Sequence, residues 1–395
     1  MKGLLNRTPA LVRPLITIIF LWLALVSFSV HAVQVPDLVK SKNPAPKLTA
    51  ETWVLMDFNT GWILAEKNSD KRIEPASLSK LMTAYVVFHE IRKGTLQLDH
   101  LAHISEKAWR TGGSRMFVQV NSKVPVKDLL MGLIVQSGND AAVALAEHVA
   151  GSEEGFAALM NQYARALNLG NTNFSNAAGL PDPNHYSSAR DVSLIAAAII
   201  REFPEYYNWY STKEYTYNNI KQHNRNLLLW RDASVDGVKT GHTSTAGYCL
   251  VGSAKRDDMR LIATVTGTAS AKQRAKEVHA LLKHGFSSYE SKRVFGQDSA
   301  IAQIKVFKGG QDRLPLGSAG PVYVIVPRGQ ADSLKASLDV PQFTVAPIPV
   351  GHALGIAKID YNGNPLMEVP LVALAEVPQG TWWQSAIDTV LLWFE

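Results

Sequence analysis

The spacing of apolar positions changes several times along this chain, and each change marks a different kind of element. Thr52-Trp53-Val54-Leu55-Met56 and Trp62-Ile63-Leu64-Ala65 flank Asn59-Thr60-Gly61, which predicts a β-hairpin. After Pro75-Ala76 the period lengthens to that of an amphipathic helix running from about Ser77 to Arg92. Helical spacing returns over 126–135, 141–149, 154–167 and 189–200. Three β-rich runs follow, 234–240, 247–254 and 260–266, the last two joined by the turn Arg256-Asp257-Asp258. Residues 272–284 are helical again. Hairpin, helices, strands, helix: this order predicts an α+β domain, an antiparallel sheet covered by a helical cluster.

From about residue 295 the helical period disappears. Short β-like runs (301–307, 322–326, 353–360, 366–374) alternate with Gly and Pro turns, which predicts a small all-β domain over 295–379. The last segment, 380–395, returns to helical spacing. Trp382, Trp383, Ala386, Ile387, Val390, Leu391 and Phe394 share one face, with Gln384, Asp388 and Glu395 opposite. It is too short to span a bilayer but suits a helix lying in its surface. The plainer alternative is a terminal helix docked on the protein's own core. Its polar face carries no Lys or Arg, so surface binding would rest on apolar and aromatic burial.

The opposite end changes the charge picture. Lys2, Arg7 and Arg13 precede the apolar run 15–30, and Val30-His31-Ala32 supplies small residues for cleavage. Residues 1–32 therefore read as a secretory signal; the alternative is an uncleaved membrane anchor, for which the apolar run is short. The formal charge of the whole chain is +6, and this segment holds three cations and no acid, leaving about +3 for the exported part. That mild, dispersed charge gives no reason to expect nucleic acid as a partner. The one cysteine, Cys249, allows no internal disulfide and sits in an apolar run, as a buried small hydrophobe would. About 360 exported residues exceed one typical core, so at least two domains are expected, 33–294 and 295–379.

Three short motifs carry the chemistry. Ser77-Leu78-Ser79-Lys80 places a hydroxyl and an amine three residues apart, on one helical face. A serine hydroxyl is a weak nucleophile until a base takes its proton, and Lys80 can be that base when burial and a neighbouring cation lower its pKa. Lys239 is the candidate cation. Ser79, one residue before Lys80, faces away from it. Taken alone, Ser77 would be a helix cap and Lys80 a solvated lysine. Ser137-Gly138-Asn139, between two helices, offers a proton relay at Ser137 and an amide at Asn139 that can hold the substrate or the lysine. Asp140 reads as the N-cap of the next helix. Lys239-Thr240-Gly241 ends an apolar strand, and Gly241 lets an extended substrate approach the strand edge. Backbone N–H groups of Ser77 and His242 are the expected oxyanion donors. The ordered trio is specific for serine acyl transfer with a lysine base.

At this point the residues resemble a family. Pro75-Ala76-Ser77-Leu78-Ser79-Lys80-Leu81-Met82-Thr83, Gln136-Ser137-Gly138-Asn139-Asp140-Ala141, Tyr186-Ser187-Ser188-Ala189-Arg190-Asp191 and Asp236-Gly237-Val238-Lys239-Thr240-Gly241-His242-Thr243 look like signatures of the low-molecular-mass penicillin-binding proteins that act as D-alanyl-D-alanine carboxypeptidases. The β-rich tail and the terminal helix fit the same pattern. The resemblance implies a penicillin-binding-protein/β-lactamase-like fold and trimming of the last D-alanine from peptidoglycan pentapeptides. It also implies covalent acylation by β-lactams and a location at the periplasmic face of the inner membrane. It further implies that Arg260 helps bind the substrate's terminal carboxylate with Thr240 and Thr243. No cofactor or metal is implied. One departure is Ala178, where many relatives carry histidine before the glycine, followed by an extra proline in Leu180-Pro181-Asp182.

Other functions fit less well. A common serine β-lactamase has a glutamate-bound water and an E-x-x-L-N signature; the nearest string here has Ala164 in the acidic position of Ala164-Arg165-Ala166-Leu167-Asn168. A cross-link-cutting endopeptidase shares the trio and differs in pocket shape. A non-catalytic wall-binding protein would have no need of an intact Ser77, Lys80, Ser137, Asn139 and Lys239. No H-E-x-x-H or paired His spacing supports a metalloenzyme.

Overall fold

The computed structural model describes residues 33–393. The expected signal, 1–32, and the last two residues of the terminal segment lie outside them. The central sheet is built from β1 (Val33–Gln34), β2 (Thr52–Asp57), β3 (Trp62–Lys67), β4 (Val235–Thr243), β5 (Gly247–Arg256) and β6 (Met259–Thr268). Their order is β1-β3-β2-β6-β5-β4, antiparallel except for the short β1–β3 pair. The predicted hairpin and the three later strands therefore share one sheet, and β4, which ends in Lys239-Thr240-Gly241, is its edge.

Side chains alternate between the two faces, as strand geometry requires. Met56, Val238, Cys249, Val251 and Ile262 join a core with the helices α1 (Lys80–Arg92), α2 (Asn139–Ala150), α3 (Glu153–Ala166) and α4 (Ala189–Glu202). Their neighbours Leu55, Leu250, Leu261 and Ala263 face the other way, onto Val278, Leu281 and Leu282 of α5 (Ala271–Ser288). α5 runs four residues beyond the predicted helix end. Cys249 is buried and unbridged.

The second core cluster continues into the β-rich part of the chain through Tyr289, Ile304, Leu316 and Ile359. There Tyr289–Phe295 pairs with Val322–Pro327. A six-stranded sheet holds Ala302–Phe307, Arg313–Ser318, Leu334–Asp339, Phe343–Val345, Ala353–Tyr361 and Asn364–Ala373. The all-β expectation holds. The runs at 313–318 and 334–339 escaped the sequence reading because Pro315, Gly317 and Lys335 interrupt their apolar alternation. The terminal helix α6 (Trp382–Leu391) opens with a capping box between Thr381 and Gln384. No helix among the described residues is long and apolar enough to cross a membrane.

One buried carboxylate organises the loop beside the sheet edge. Asp140 was expected as an N-cap; instead α2 begins at Asn139 and Asp140 lies inside its first turn. Its carboxylate accepts from the backbone N–H groups of Met116 (3.0 Å), Phe117 (2.9 Å), Val118 (3.3 Å) and Ala141 (2.9 Å). Removing it strands buried donors, each costing on the order of 1 kcal/mol or more. Asp140→Ala is therefore expected to lower unfolding stability by ~3 kcal/mol in urea titration, whereas a surface acid such as Asp37 replaced by alanine should change it by less than ~0.5 kcal/mol.

Candidate active site

Ser77 lies in a 3-10 turn, Ala76–Ser79, that feeds into α1 at Lys80. The continuous α-helix expected from Ser77 is thus replaced by a tighter first turn, entered through Pro75 and a left-handed Ala76 with φ 48°. Residues three apart eclipse in such a turn. Lys80 Nζ accordingly donates to Ser77 Oγ at 3.0 Å. It also donates to Asn139 Oδ1 at 2.7 Å and to the Ala178 carbonyl at 2.6 Å. Three segments distant in sequence therefore meet on one side chain that is 1% exposed.

Burial pulls the Lys80 pKa down to about 7; the Asp140 carboxylate opposes the shift and the Arg225 guanidinium assists it. The neighbouring cation acting on Lys80 is therefore Arg225, where the sequence reading had Lys239. Lys239 is itself held well below its ordinary value, first by burial and then by the charge of Lys80. Its Nζ donates to its neighbour, the Thr240 carbonyl, at 3.2 Å.

Ser137 ends a π-helical turn, Gly132–Gln136, and takes a left-handed backbone with φ 66°. Its buried Oγ has no hydrogen-bond partner among the described residues, and it lines the same cleft as Ser77. Asn139 does hold the lysine, and its amide donates to the Gly112 carbonyl at 2.6 Å. Ser79 points away as expected. Its hydroxyl donates to the Ala76 carbonyl at 2.8 Å and sits 2.7 Å from His185 Nε2.

His185 was not singled out from sequence. Its Nδ1 accepts from the Ser175 N–H at 3.1 Å, so Nε2 carries the proton that Ser79 accepts. A second ring proton would face the Ser175 N–H, and burial lowers the pKa to about 4. The neutral ring thus ties the Ser77 turn to the loop whose Ala178 carbonyl holds Lys80. Gly179 of that loop has φ +79°, and a Cβ there would meet the Ala76 carbonyl oxygen at 1.8 Å. A side chain at 179 would push the loop off the nucleophile turn.

The cleft encloses about 770 Å3. Ser77, Ser137, Asn139, Thr240, Gly241, His242 and Thr243 line it, as the three motifs predict. The Thr243 hydroxyl is engaged with Glu74 at 3.3 Å, and His242 packs on Tyr248 with ring centroids 4.0 Å apart. Arg260 is not brought there. Its guanidinium pairs with Asp236 at 2.7 Å and with Ser253 at 2.7 Å, against the rings of Phe58 and Tyr207. The register explains this. Thr240 lies opposite Leu250, and Leu250 opposite Val265, five residues from Arg260. At ~3.4 Å per residue, Arg260 is about 17 Å along the sheet from the motif.

The cations that line the cleft are Arg225 and Arg274. Arg274, 5% exposed, donates to the carbonyls of Gly241 (2.9 Å) and Cys249 (3.4 Å). Arg225 donates to Ser114 Oγ at 2.8 Å. No acid among the described residues lines the cleft, so its field favours an anionic ligand. In the sequence, Arg274 stands among Lys272 and Lys276 on one helix, and nothing in the spacing distinguishes it.

Comparison with known proteins agrees with this geometry. Residues 39–270 match the family model described as D-alanyl-D-alanine carboxypeptidase, and residues 289–379 match the C-terminal domain of penicillin-binding protein 5. The chain is 41% identical over 381 residues to the D-alanyl-D-alanine carboxypeptidase DacA of Escherichia coli (strain K12), covering 94% of each. A crystal structure of penicillin binding protein 5 from Haemophilus influenzae superposes with a TM-score of 0.78 at 41% identity, over 85% of this chain and 100% of that one. Penicillin binding protein 6B from Escherichia coli superposes with a TM-score of 0.72 at 36% identity, over 87% and 99%. With both of its domains matched in order along the chain, this protein belongs to the D-alanyl-D-alanine carboxypeptidase family of penicillin-binding proteins.

Proposed function

We propose that the protein is a serine D,D-carboxypeptidase that removes the terminal D-alanine from peptidoglycan pentapeptides, and that β-lactams acylate the same serine. The observation that carries this reading is the hydrogen-bonded chain Ser77–Lys80–Asn139 at the foot of a cleft walled by a sheet edge. The substrate pairs with the free edge of β4 as an added strand. Arg274 and Arg225, in place of Arg260, receive its terminal carboxylate. Neutral Lys80 takes the proton of Ser77 as Oγ bonds to the carbonyl carbon between the two D-alanines. Backbone N–H groups of Ser77 and His242 hold the oxyanion. The Ser137 hydroxyl, free of other partners, relays the proton to the departing amine. The C–N bond breaks, D-alanine leaves, and water hydrolyses the remaining ester.

The same reading divides the exported chain into a peptidase domain over 33–294, a β-rich domain over 295–379 and an anchoring helix over 380–395. The pairing of Tyr289–Phe295 with Val322–Pro327 favours moving the first boundary to residue 289. The helix leaves Trp382, Trp383, Ile387 and Val390 more than half exposed, and Trp393 is 81% exposed. Apolar surface of that size on one face favours insertion at the periplasmic surface of the inner membrane, after export directed by residues 1–32. The Lys308 N–H donates to the Asp388 carboxylate, which fixes the polar side of the helix to the β-rich domain.

Three outcomes test this reading. Intact-mass spectrometry of residues 33–380 with penicillin should give a persistent penicilloyl adduct, alongside D-alanine release from a peptide ending in D-Ala-D-Ala; Ser77→Ala should lose both. Rapid loss of the adduct with penicillin turnover would point to a β-lactamase. The acylation rate should rise with pH and level off, with a midpoint near 7, because only the deprotonated lysine accepts a proton and burial sets its pKa at about 7. A profile flat from pH 5.5 to 8.5 would remove Lys80 as the base. Co-sedimentation with phospholipid vesicles should fall at least ~tenfold when residues 381–395 are deleted, and should vary little with salt because the buried face is apolar.

A further inference from the structure

The Ser77 turn is entered through a strained residue. Ala76 has φ +48°, in the left-handed region that a side chain disfavours. Nothing about the start of an ordinary helix calls for it. What it changes is the direction of one peptide plane. The Ala76–Ser77 peptide is trans, so its C=O and N–H point in opposite directions. Whatever holds the Ala76 carbonyl therefore aims the Ser77 N–H.

The Ser79 hydroxyl donates to that carbonyl at 2.8 Å. The Ser77 N–H has no backbone acceptor among the described residues, and Ser77 lines the cleft. This N–H is one of the two oxyanion donors. The other, on His242, follows Gly241, where the edge of β4 comes close to the turn. A Cβ on Gly241 would lie 3.1 Å from the Pro75 carbonyl oxygen and 3.4 Å from the Ala76 Cβ.

Ser79 holds the carbonyl only while its proton points that way, and a hydroxyl rotates to suit its partners. His185 removes that freedom. The ring is 3% exposed and Ser79 is fully buried. Because Nδ1 accepts from the Ser175 N–H, Nε2 carries the proton and donates to Ser79 Oγ at 2.7 Å. With one lone pair occupied from that side, Ser79 donates its own proton to Ala76. The Ser175 N–H, the ring, the hydroxyl and the Ala76 carbonyl thus form one chain of hydrogen bonds with a single direction. The ring is braced by a frame docked on the nucleophile segment, since Ile73 and Ser187 exchange backbone hydrogen bonds of 2.8 and 3.0 Å.

We propose that His185 is a positioning residue for the oxyanion hole: through Ser79 it holds the Ala76–Ser77 peptide so that the Ser77 N–H is aimed into the cleft. The proposal rests on the carboxypeptidase reading above and concerns the same site. His185 does not line the cleft. Its loss therefore misdirects the donor and leaves peptide binding along the sheet edge unchanged. A ring that merely braced the loop would act elsewhere, through the Ala178 carbonyl on Lys80, and would shift the titration of that lysine.

The test measures D-alanine release and its pH profile for wild type, His185→Gln, His185→Leu, Ser79→Ala and the double variant His185→Leu/Ser79→Ala. A glutamine amide donates through Nε2 and accepts through Oε1, as the neutral ring does. His185→Leu should lower kcat at least ~tenfold with KM unchanged, a part of the roughly hundredfold or more that loss of a whole oxyanion donor costs. The pH midpoint should stay where the wild type has it. Ser79→Ala should lose about as much, the double variant no more than either one, and His185→Gln should retain most of the activity. A peptide boronic acid, with boron in place of the scissile carbonyl carbon, forms a tetrahedral adduct with an oxygen in the oxyanion position. It should bind the leucine variant more weakly by the same factor as kcat falls. An unchanged kcat in folded His185→Leu or Ser79→Ala overturns the proposal. So does a loss that falls on KM, a double variant whose losses multiply, or a shifted midpoint, which assigns the ring to Lys80. If the leucine variant does not fold, Ser79→Ala, which removes a single oxygen, decides the same question. Release by none of the proteins, wild type included, defeats the carboxypeptidase reading and the proposal with it.

Discussion

Lys80 is the point on which the arrangement turns. A long cationic side chain is almost never fully buried unless partners replace its water. Here they do so from three directions: the 3-10 turn before α1, the first turn of α2 and the loop at Ala178. Satisfying this one amine fixes the distances between the segments that carry the three motifs. Its burial lowers the proton affinity of the lysine into the range where it can act as a base at neutral pH. The stabilising contact and the chemical poise have the same origin, which is removal of the amine from water.

Around that centre the molecule supports the geometry with buried polar groups. Asp140 gathers the loop at 116–118, Asn139 ties the lysine to Gly112, and neutral His185 links Ser79 to the Ser175 backbone. Each polar group is buried and each is hydrogen-bonded, as burial demands. Ser137 stands apart, since its buried hydroxyl has no partner among the described residues. A free hydroxyl at the cleft floor can change partners as a reaction proceeds, which is the property a proton relay needs.

The cleft's electrostatics follow from what is missing from its walls. Arg225 and Arg274 line it, and no carboxylate among the described residues does. The backbone at Gly241 is held by Arg274, so the cation and the free strand edge come as one unit. The β-rich domain shares its core with α5, on the face of the central sheet opposite the helical cluster.

Local physics made much of this legible in the sequence. The i, i+3 spacing of Ser77 and Lys80 brings their side chains together in either an α- or a 3-10 helix, so the contact survived a wrong assignment of the first turn. The hairpin, the helices, the three later strands and the all-β tail followed from apolar period and turn residues. What the sequence left undetermined depends on register and on long-range approach. Arg260 and Arg274 both follow the lysine motif, one on a strand and one on a helix. The antiparallel pairing of β4, β5 and β6 carries Arg260 to the far end of the sheet, while α5 returns Arg274 to Gly241. The same holds for the contacts of Arg225 with Ser114 and of His185 with Ser79, each made across more than a hundred residues of chain. Local spacing fixes which side chains of one element face together. Which elements then converge is decided by packing the whole chain, and no short-range signal encodes it.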